Sequence, residues 1–493
     1  MPPAIGVTPV PTARAASIST LLIFAVALAL RAWASAGDFW LDEIWSWMAV
    51  RDRVHSVGDV FFAIHHDNNH LLNSLWIYVL GLDVDWRWYR LPAVLAGSVA
   101  VLVARELMAD AGRVGQWLAT LLVVPSFLLV NYASEARGYG VMMLCALASL
   151  WLLQTYERLR GEAAPGPWRF ALAGFWLATM LGTLAHASYG TTLVALALWW
   201  AWRLAYESGE LKTRVLRFML LFGPPFAVAA WVWAVDFRHV TLGGGPLMGA
   251  WQAAAAVCSL ALGGPVEGPW VWPLAVLAML GLGLEIFLLL RARDERAQLW
   301  LAMLVVPVLP LAAGVHSQAI YPRFFLGSVL FLLVALASLG ARGWRLGGAP
   351  RLLVCGLLAL ITLGNLDGLA RLMRDGRGRP SAAVRWMAEH SQSPLIVIAT
   401  DHAFRHGMTL DYYKRLLHAG QRVQLLVDPP WPARGPEWIL RQDGSRDWQP
   451  APALHDADGR AYQLESLYPH AGLSGFTLAL YHRLDDKSAL TAP

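Results

Sequence analysis

"GDFWLDEIWSW" (37–47) sets two adjacent carboxylates, Asp42 and Glu43, among aromatic residues, directly behind the first long apolar run of the chain at 17–36. An apolar run crosses a bilayer as a helix once it reaches about 18 residues. Further runs lie near 90–108, 114–132, 138–156, 169–186, 188–205, 217–236, 270–290, 298–315, 322–340 and 351–367. About eleven spans are therefore expected, and the acidic pair sits in the first loop between them.

Composition points the same way. Of 493 residues, 57% are hydrophobic, only 15% are charged and 25 are tryptophan, whereas an ordinary soluble domain is about 25% charged. The chain reads as a polytopic membrane protein. Its net charge of +5 would suit nucleic acid, but the arginines fall in short clusters between apolar runs, with no basic face interleaved with aromatics. Nucleic acid is excluded as a partner, and topology accounts for the charge. With a cytoplasmic N-terminus, Arg113, Arg158, Arg160, Lys212, Arg214, Arg217, Arg291, Arg293, Arg296, Arg342 and Arg345 all fall in inner loops, as the positive-inside rule requires.

Residues 1–36 also carry the marks of a signal peptide: Arg14, an apolar stretch from Ile18 to Leu30, and "ASAG" at 34–37. We read them as an uncleaved first helix. Both readings leave Asp42 outside the membrane. Cys145, Cys258 and Cys355 lie in apolar sequence without paired spacing, so neither a disulfide framework nor a thiolate metal site is indicated.

The domain organisation follows. Residues 1–368 form a membrane domain whose first outer loop spans 37–89, 369–380 a linker containing "RDGRGRP" (374–380), and 381–493 a small soluble domain of mixed helix and strand. "SAAVRWMAEH" and "LDYYKRLLHAG" read as helices there; "PLIVIAT", "QRVQLLV" and "FTLALYHR" read as strands. An odd span count puts this domain outside. It holds no phosphate loop or triad spacing, and Asp401, His402 and His406 read as solvated surface residues rather than as a metal site.

Ionisable groups cluster at the outer ends of the spans. Such groups at membrane depth are costly unless paired or functional. "IHHDNNHLLNSLWIYVLG" (64–81) reads as an amphipathic helix in the interface. Its His66 and His70 stand at i, i+4 with Asp67 between, so a divalent metal and a solvated polar face both compete with a ligand-contact reading. "NYASEARGYG" (131–140) brings Glu135, Arg137 and Tyr139 to the outer boundary, "LAHASYG" adds His186, and "YPRFFLG" adds Arg323. Glu135 and Arg137 can be a structural pair or part of a site, and His186 a packing residue or a ligand. Asp42 and Glu43 can cap an interfacial helix, supply a general base, or do both.

The ordered set, comprising the acidic pair after the first span, the His-containing stretch in the same loop, "RLPAVLAG", "EARGY", a His after the fifth span and "PRFFL", resembles the GT-C glycosyltransferases over roughly 17–340. The similarity is to the glycosyltransferase family 39-like branch of polyprenyl-phosphate-mannose protein mannosyltransferases and lipid A aminoarabinose transferases. It implies a mainly α, polytopic GT-C fold, here with a small C-terminal extracytoplasmic α/β domain. It also implies a bacterial multi-pass enzyme of the cytoplasmic membrane, a hexosyl- or pentosyltransferase that moves sugar with inversion from a polyprenyl-phosphate carrier to an acceptor hydroxyl on the outer face. The acceptor would be a glycan, lipid or protein. Asp42 matches the family's base, with Glu43 as its catalytic neighbour, orienting the acceptor or tuning Asp42 by like-charge proximity. His70, Arg137 and Arg323 would contact the donor phosphate. Asn69, Glu135, Tyr139 and His186 would serve the acceptor or support those residues. No cofactor or metal is expected. "HLL" at 70–72 departs from the "PPL" or "KP" common in relatives. A lipid-linked glycan ligase or polymerase is an alternative within the fold, and a lipid or sugar transporter or flippase one outside it. Transporters tend to place charge mid-membrane and to repeat internally, and neither feature is visible here.

Overall fold

The computed structural model describes residues 13–66, 68–160, 166–240, 248–309, 321–391, 393–427, 431 and 435–484. Five described helices are long and apolar enough to cross a membrane: Tyr139–Arg160, Leu211–His239, Val271–Arg291, Pro322–Leu346 and Gly348–Asp375. The pair Trp86–Glu106 and Ala109–Val123, bent by 46°, makes a sixth candidate. Helices Ala13–Ala34, Pro167–Ala185 and Tyr189–Tyr206 occupy three more of the expected runs. The run expected at 114–132 is divided, because Pro125 carries no N–H to continue a helix: Gly112–Val123 ends there and Phe127–Ala133 begins anew. The run at 298–315 starts as helix Arg296–Val305 and continues into a turn at Val306–Val308, and its last six residues lie outside the described residues. A short helix at Ala250–Ala261 was not foreseen.

The bundle core is built around Tyr139–Arg160, packed between Trp86–Glu106 and Pro167–Ala185. Their small residues let the backbones approach. A Cβ on Gly140 would stand 2.3 Å from the Ala93 carbonyl oxygen, so this crossing tolerates only glycine.

After the first helix, helix Leu41–Arg53 starts on the acidic pair and Leu71–Leu80 follows. Residues 64–66 and 68–70 are loop rather than part of the expected amphipathic helix. The i, i+4 argument for His66 and His70 therefore loses its geometric basis.

After the bundle, helix Gly348–Asp375 runs past the apolar end at 368, held on its exposed side by Asp367 and Arg371, 2.6 Å apart and one turn from each other. The break falls at Gly376–Arg379. Gly376 and Gly378 both adopt positive φ, and a Cβ on Gly378 would meet the Phe476 carbonyl oxygen at 2.4 Å, so the linker lies tight against the domain it leads to. That domain has a six-stranded sheet: β1 (Leu395–Thr400), β2 (Arg422–Leu426), β3 (Trp438–Asp443), β4 (Ala453–His455), β5 (Ala461–Tyr468) and β6 (Thr477–Arg483), ordered β2-β1-β3-β6-β5-β4. β1 pairs in parallel with β2 and β3, and the remaining pairings are antiparallel.

This domain is not hung on a flexible tether. Phe39, Ile44 and Leu71 of the segment 37–89 share one apolar cluster with Val384, Ile396, Tyr413 and Leu480. The Tyr413 hydroxyl accepts from the Phe39 N–H and donates to the Phe39 carbonyl, each at 2.9 Å, and Arg51 pairs with Asp411 at 2.7 Å. Helix Ala403–Tyr413 thus packs on the helix that carries Asp42.

Candidate active site

Asp42 stands in the first turn of helix Leu41–Arg53 with its side chain 13% exposed. One oxygen, Oδ2, lies 2.9 Å from Arg137 Nη1 and 3.4 Å from Arg323 Nη1. Neither contact is in hydrogen-bond geometry: Asp42 Oδ2, Arg137 Nη1 and Arg323 Nε are all buried without a hydrogen-bond partner. Two guanidiniums therefore converge on a carboxylate while keeping N–H donors unspent. Arg323 comes from the turn Pro322–Phe325 and is stacked on Tyr321.

Glu43 points elsewhere and is fully spent. Arg90 grips it with Nε–Oε1 at 2.8 Å and Nη2–Oε2 at 2.5 Å, the Ala136 N–H donates to Oε1 at 2.6 Å and the Trp40 N–H to Oε2 at 3.2 Å. Burial alone would raise its carboxyl, but Arg90 overrides it and holds the group below the ordinary value. Arg90 also donates to the carbonyls of Ser35, Gly37 and Asp38. This pair ties the end of the first helix to the turn that presents Asp42. The two neighbouring acids thus divide the labour: Glu43 provides the helix cap, and Asp42 faces the arginines.

His70, the residue before helix Leu71–Leu80, is buried. Arg137 donates from Nε to His70 Nε2 at 3.1 Å and from Nη2 to Asn68 Oδ1 at 2.7 Å. Arginine can only donate, so Nε2 of His70 accepts and Nδ1 carries the proton. Burial, with Arg137 beside it, depresses the imidazolium far below the usual range, and His70 is neutral. Asn69 serves the loop itself, donating to the carbonyls of Val60 and Ile64 and accepting from Ser74. It supports the site from behind.

His186 follows helix Pro167–Ala185 and stacks on His70 at 4.8 Å and 21°. Its Nδ1 accepts from the Ser188 N–H at 3.0 Å, which leaves the proton on Nε2. Burial takes it down to about 3. Tyr139 lies 4.4 Å from the His186 ring with its hydroxyl buried and unpartnered, and Arg137 covers its ring at 4.9 Å. These elements can meet because of Gly138: a Cβ there would stand 1.7 Å from the Ala185 carbonyl oxygen.

Glu135 is fully buried behind Arg137 and pairs mainly with Arg377, Nε–Oε1 at 3.2 Å, against 3.8 Å to Arg137. Ser474 adds a bond at 2.6 Å. Arg377 further donates to the Asn131 carbonyl and the Ser134 hydroxyl, both at 2.8 Å.

The sequence-selected residues Asp42, His70, Arg137, Tyr139, His186 and Arg323 thus meet in one site, while Glu43, Asn69 and Glu135 lie around it in supporting contacts. Arg377, Ser474 and Tyr413 were missed. Their only signal was Arg377 set between two glycines in a charged stretch. Asp67 lies outside the described residues. Among the described residues no three His, Cys, Asp or Glu side chains are placed to hold a metal ion; His406, expected on the surface, is 1% exposed and pairs with Thr400. Arg137, Arg323 and Arg377 face Asp42 and Glu135, a cation in excess, with two neutral imidazole N–H groups nearby. Such a site favours an anion whose charge grows during reaction next to a carboxylate able to take a proton.

No protein-family model matches the chain. No curated protein sequence matches it. Solved structures do. The crystal structure of ArnT from Cupriavidus metallidurans in the apo state aligns with a TM-score of 0.50 at 14% identity, covering 97% of this chain and 100% of that one. ArnT of the same organism bound to undecaprenyl phosphate gives 0.50 at 14% identity, covering 94% and 98%. At such identity the likeness is one of fold. The chain has the GT-C fold, and the alignment extends over its C-terminal sheet domain as well as its helices.

Proposed function

We propose that the chain is a membrane glycosyltransferase that moves a sugar from a polyprenyl-phosphate carrier to an acceptor hydroxyl, with Asp42 as base. The observation that carries this reading is the convergence of Arg137 and Arg323 on Asp42 with buried N–H donors left unpaired. In this reading Asp42 takes the acceptor's hydroxyl proton, and the acceptor oxygen bonds to the anomeric carbon from the face opposite the phosphate. The carbon–phosphate oxygen bond breaks and its electron pair leaves with the lipid phosphate. Arg137 and Arg323 meet the growing charge, and His70 Nδ1–H and His186 Nε2–H donate to it. Tyr139 lines the same space.

A cavity of 290 Å³ among Trp251, Met279, Trp300, Met303 and Phe325 opens two residues beyond Arg323, and its apolar walls suit the start of a prenyl chain. The ArnT neighbour bound to undecaprenyl phosphate supports the carrier class. The inner-loop arginines support a cytoplasmic membrane location with Asp42 and the C-terminal domain on the outer face. Guanidinium and imidazole donors supply the charge stabilisation, so no divalent metal is invoked, and activity should survive exhaustive chelation.

The test is transfer in vitro. Purified chain in lipid nanodiscs is incubated with radiolabelled polyprenyl-phosphate sugars and a membrane extract, with the Asp42→Asn variant as control. Label should leave the lipid and enter an acceptor only with the native chain. Passage of intact donor across a vesicle membrane without transfer would replace catalysis by transport.

A further inference from the structure

At the end of the bundle remote from Asp42, a second cavity of 720 Å³ is walled by five helix ends. Glu157 stands in the last turns of Tyr139–Arg160, some 18 residues or about 27 Å from the Asp42 end. Trp200, Arg203, Tyr206 and Glu207 come from the end of Tyr189–Tyr206. Arg217, Arg293, Asp294, Glu295 and Gln298 complete it from the neighbouring helix ends. The size is that of a small-molecule site.

Most charges in the wall are mutually paired: Arg203 with Glu295 at 2.7 Å, Arg217 with Glu157 at 3.4 Å and also with Glu207. Three polar atoms are not. Trp200, 1% exposed, has its indole N–H buried without a hydrogen-bond partner, as do Arg217 Nε and Gln298 Oε1. A buried donor or acceptor left without a partner is destabilising. Two unspent donors and one unspent acceptor, all on residues that line one cavity, match a ligand carrying both an anionic oxygen and an N–H.

Two further features fit. Arg293, another wall residue, is the single non-glycine position among the described residues with positive φ, at 56°, a helix-end conformation normally given to glycine. Trp202 and Tyr206, 48% and 75% exposed at the rim, are the aromatics of a membrane–water interface. The cavity therefore opens where lipid headgroups lie.

We propose that this cavity binds the headgroup of a phospholipid bearing a primary ammonium. Its phosphodiester accepts from Trp200 Nε1–H and Arg217 Nε–H, and its ammonium donates to Gln298 Oε1 beside Glu295. The site is separate from the Asp42 end and does not depend on the reading given there.

Native mass spectrometry of the delipidated full chain in detergent, with phosphatidylethanolamine, phosphatidylcholine and phosphatidylglycerol of identical acyl chains, tests it. Phosphatidylethanolamine adducts should exceed the other two by about fivefold, the worth of one extra hydrogen bond. Trp200→Phe, which removes the donor and keeps the ring, should weaken retention of all three lipids. Gln298→Leu should erase only the preference for phosphatidylethanolamine over phosphatidylcholine. Equal adducts with the native chain, or an undiminished preference in Gln298→Leu, overturns the proposal. Competition by millimolar inorganic phosphate as effective as that by the lipid also overturns it, by assigning the cavity to a soluble anion.

Discussion

Arg377 and Glu135 lie 3.2 Å apart, both buried, one from the segment joining bundle to C-terminal domain and the other from the loop that carries Arg137. Breaking a buried pair by removing one partner costs about 3–5 kcal/mol. Arg377→Met should therefore lower thermal stability markedly, and adding Glu135→Gln should return part of the loss by removing the stranded charge. Additive losses in the double variant would show that the pair carries no coupling.

The same contact bears on removal of the C-terminal domain. Were the domain beyond the 369–380 linker a separable appendage, a cut within 374–380 would spare hydrolysis of the donor by water while acceptor transfer falls. The shared core around Phe39 and Tyr413 and the partners of Glu135 lead to another expectation. A chain ending at Asp375 should lose both activities and fail to hold a single sharp unfolding transition. Measurable donor hydrolysis by a well-folded truncate would show the domain to be separable after all.

Asp42 and Glu43 should separate cleanly by mutation. Asp42→Asn keeps the fold and should lower transfer by about 10²–10⁴, the usual worth of a general base, with donor binding retained. Glu43→Gln leaves Arg90 buried beside a neutral amide, so it should show first as lost stability and poor expression. A stable Glu43→Gln variant with normal Asp42 geometry and no turnover would move the base to Glu43.

That division was legible only in part: the resemblance singled out Asp42 as base, but nothing in the spacing tied Glu43 to Arg90. Apolar run length gave the bundle, because burial in lipid leaves a composition signal on every span. The ordered charges at helix ends gave Asp42, Arg137 and Arg323, because charge at that depth is rare unless used. What stayed hidden depended on contacts across hundreds of residues: Arg90 with Glu43, Arg377 with Glu135, Tyr413 with Phe39. Local spacing also misled around His66 and His70, where Asn69 satisfies loop carbonyls in place of the helix that periodicity suggested.

Acidification should destabilise the protein through its buried imidazoles. His186 and His406 are held at about 3 and His470 at about 4, chiefly by burial, against an ordinary 6.5. A lowered histidine binds fewer protons folded than unfolded, so stability rises with pH between the folded and unfolded values. It is complete above about 6.5 and falls as pH drops towards 3–4. The thermal midpoint should therefore decline from pH 7 to pH 5, and His406→Asn should flatten the decline. A midpoint independent of pH over that window would contradict the buried neutral state.

Arg137 and Arg323 should differ in how poorly lysine replaces them. Arg137 spends its fork in three directions, Nε on His70, Nη2 on Asn68 and Nη1 towards Asp42. A lysine ammonium is a point charge on a flexible stem and cannot reproduce that spread. Arg137→Lys should therefore cost about 10²–10³ in kcat, comparable to losing a preorganised charge-stabilising donor, and should also release His70 from its fixed tautomer. Arg323 makes one ionic approach at 3.4 Å and otherwise stacks on Tyr321 and Phe324, so its charge is carried with less geometric demand. Arg323→Lys should raise the donor KM more than it lowers kcat. Steady-state kinetics on the two variants with a fixed polyprenyl-phosphate sugar decides this. Equal kcat losses would mean that both guanidiniums are bound into the reacting geometry, and a loss in Arg323→Lys alone would reverse the assignment.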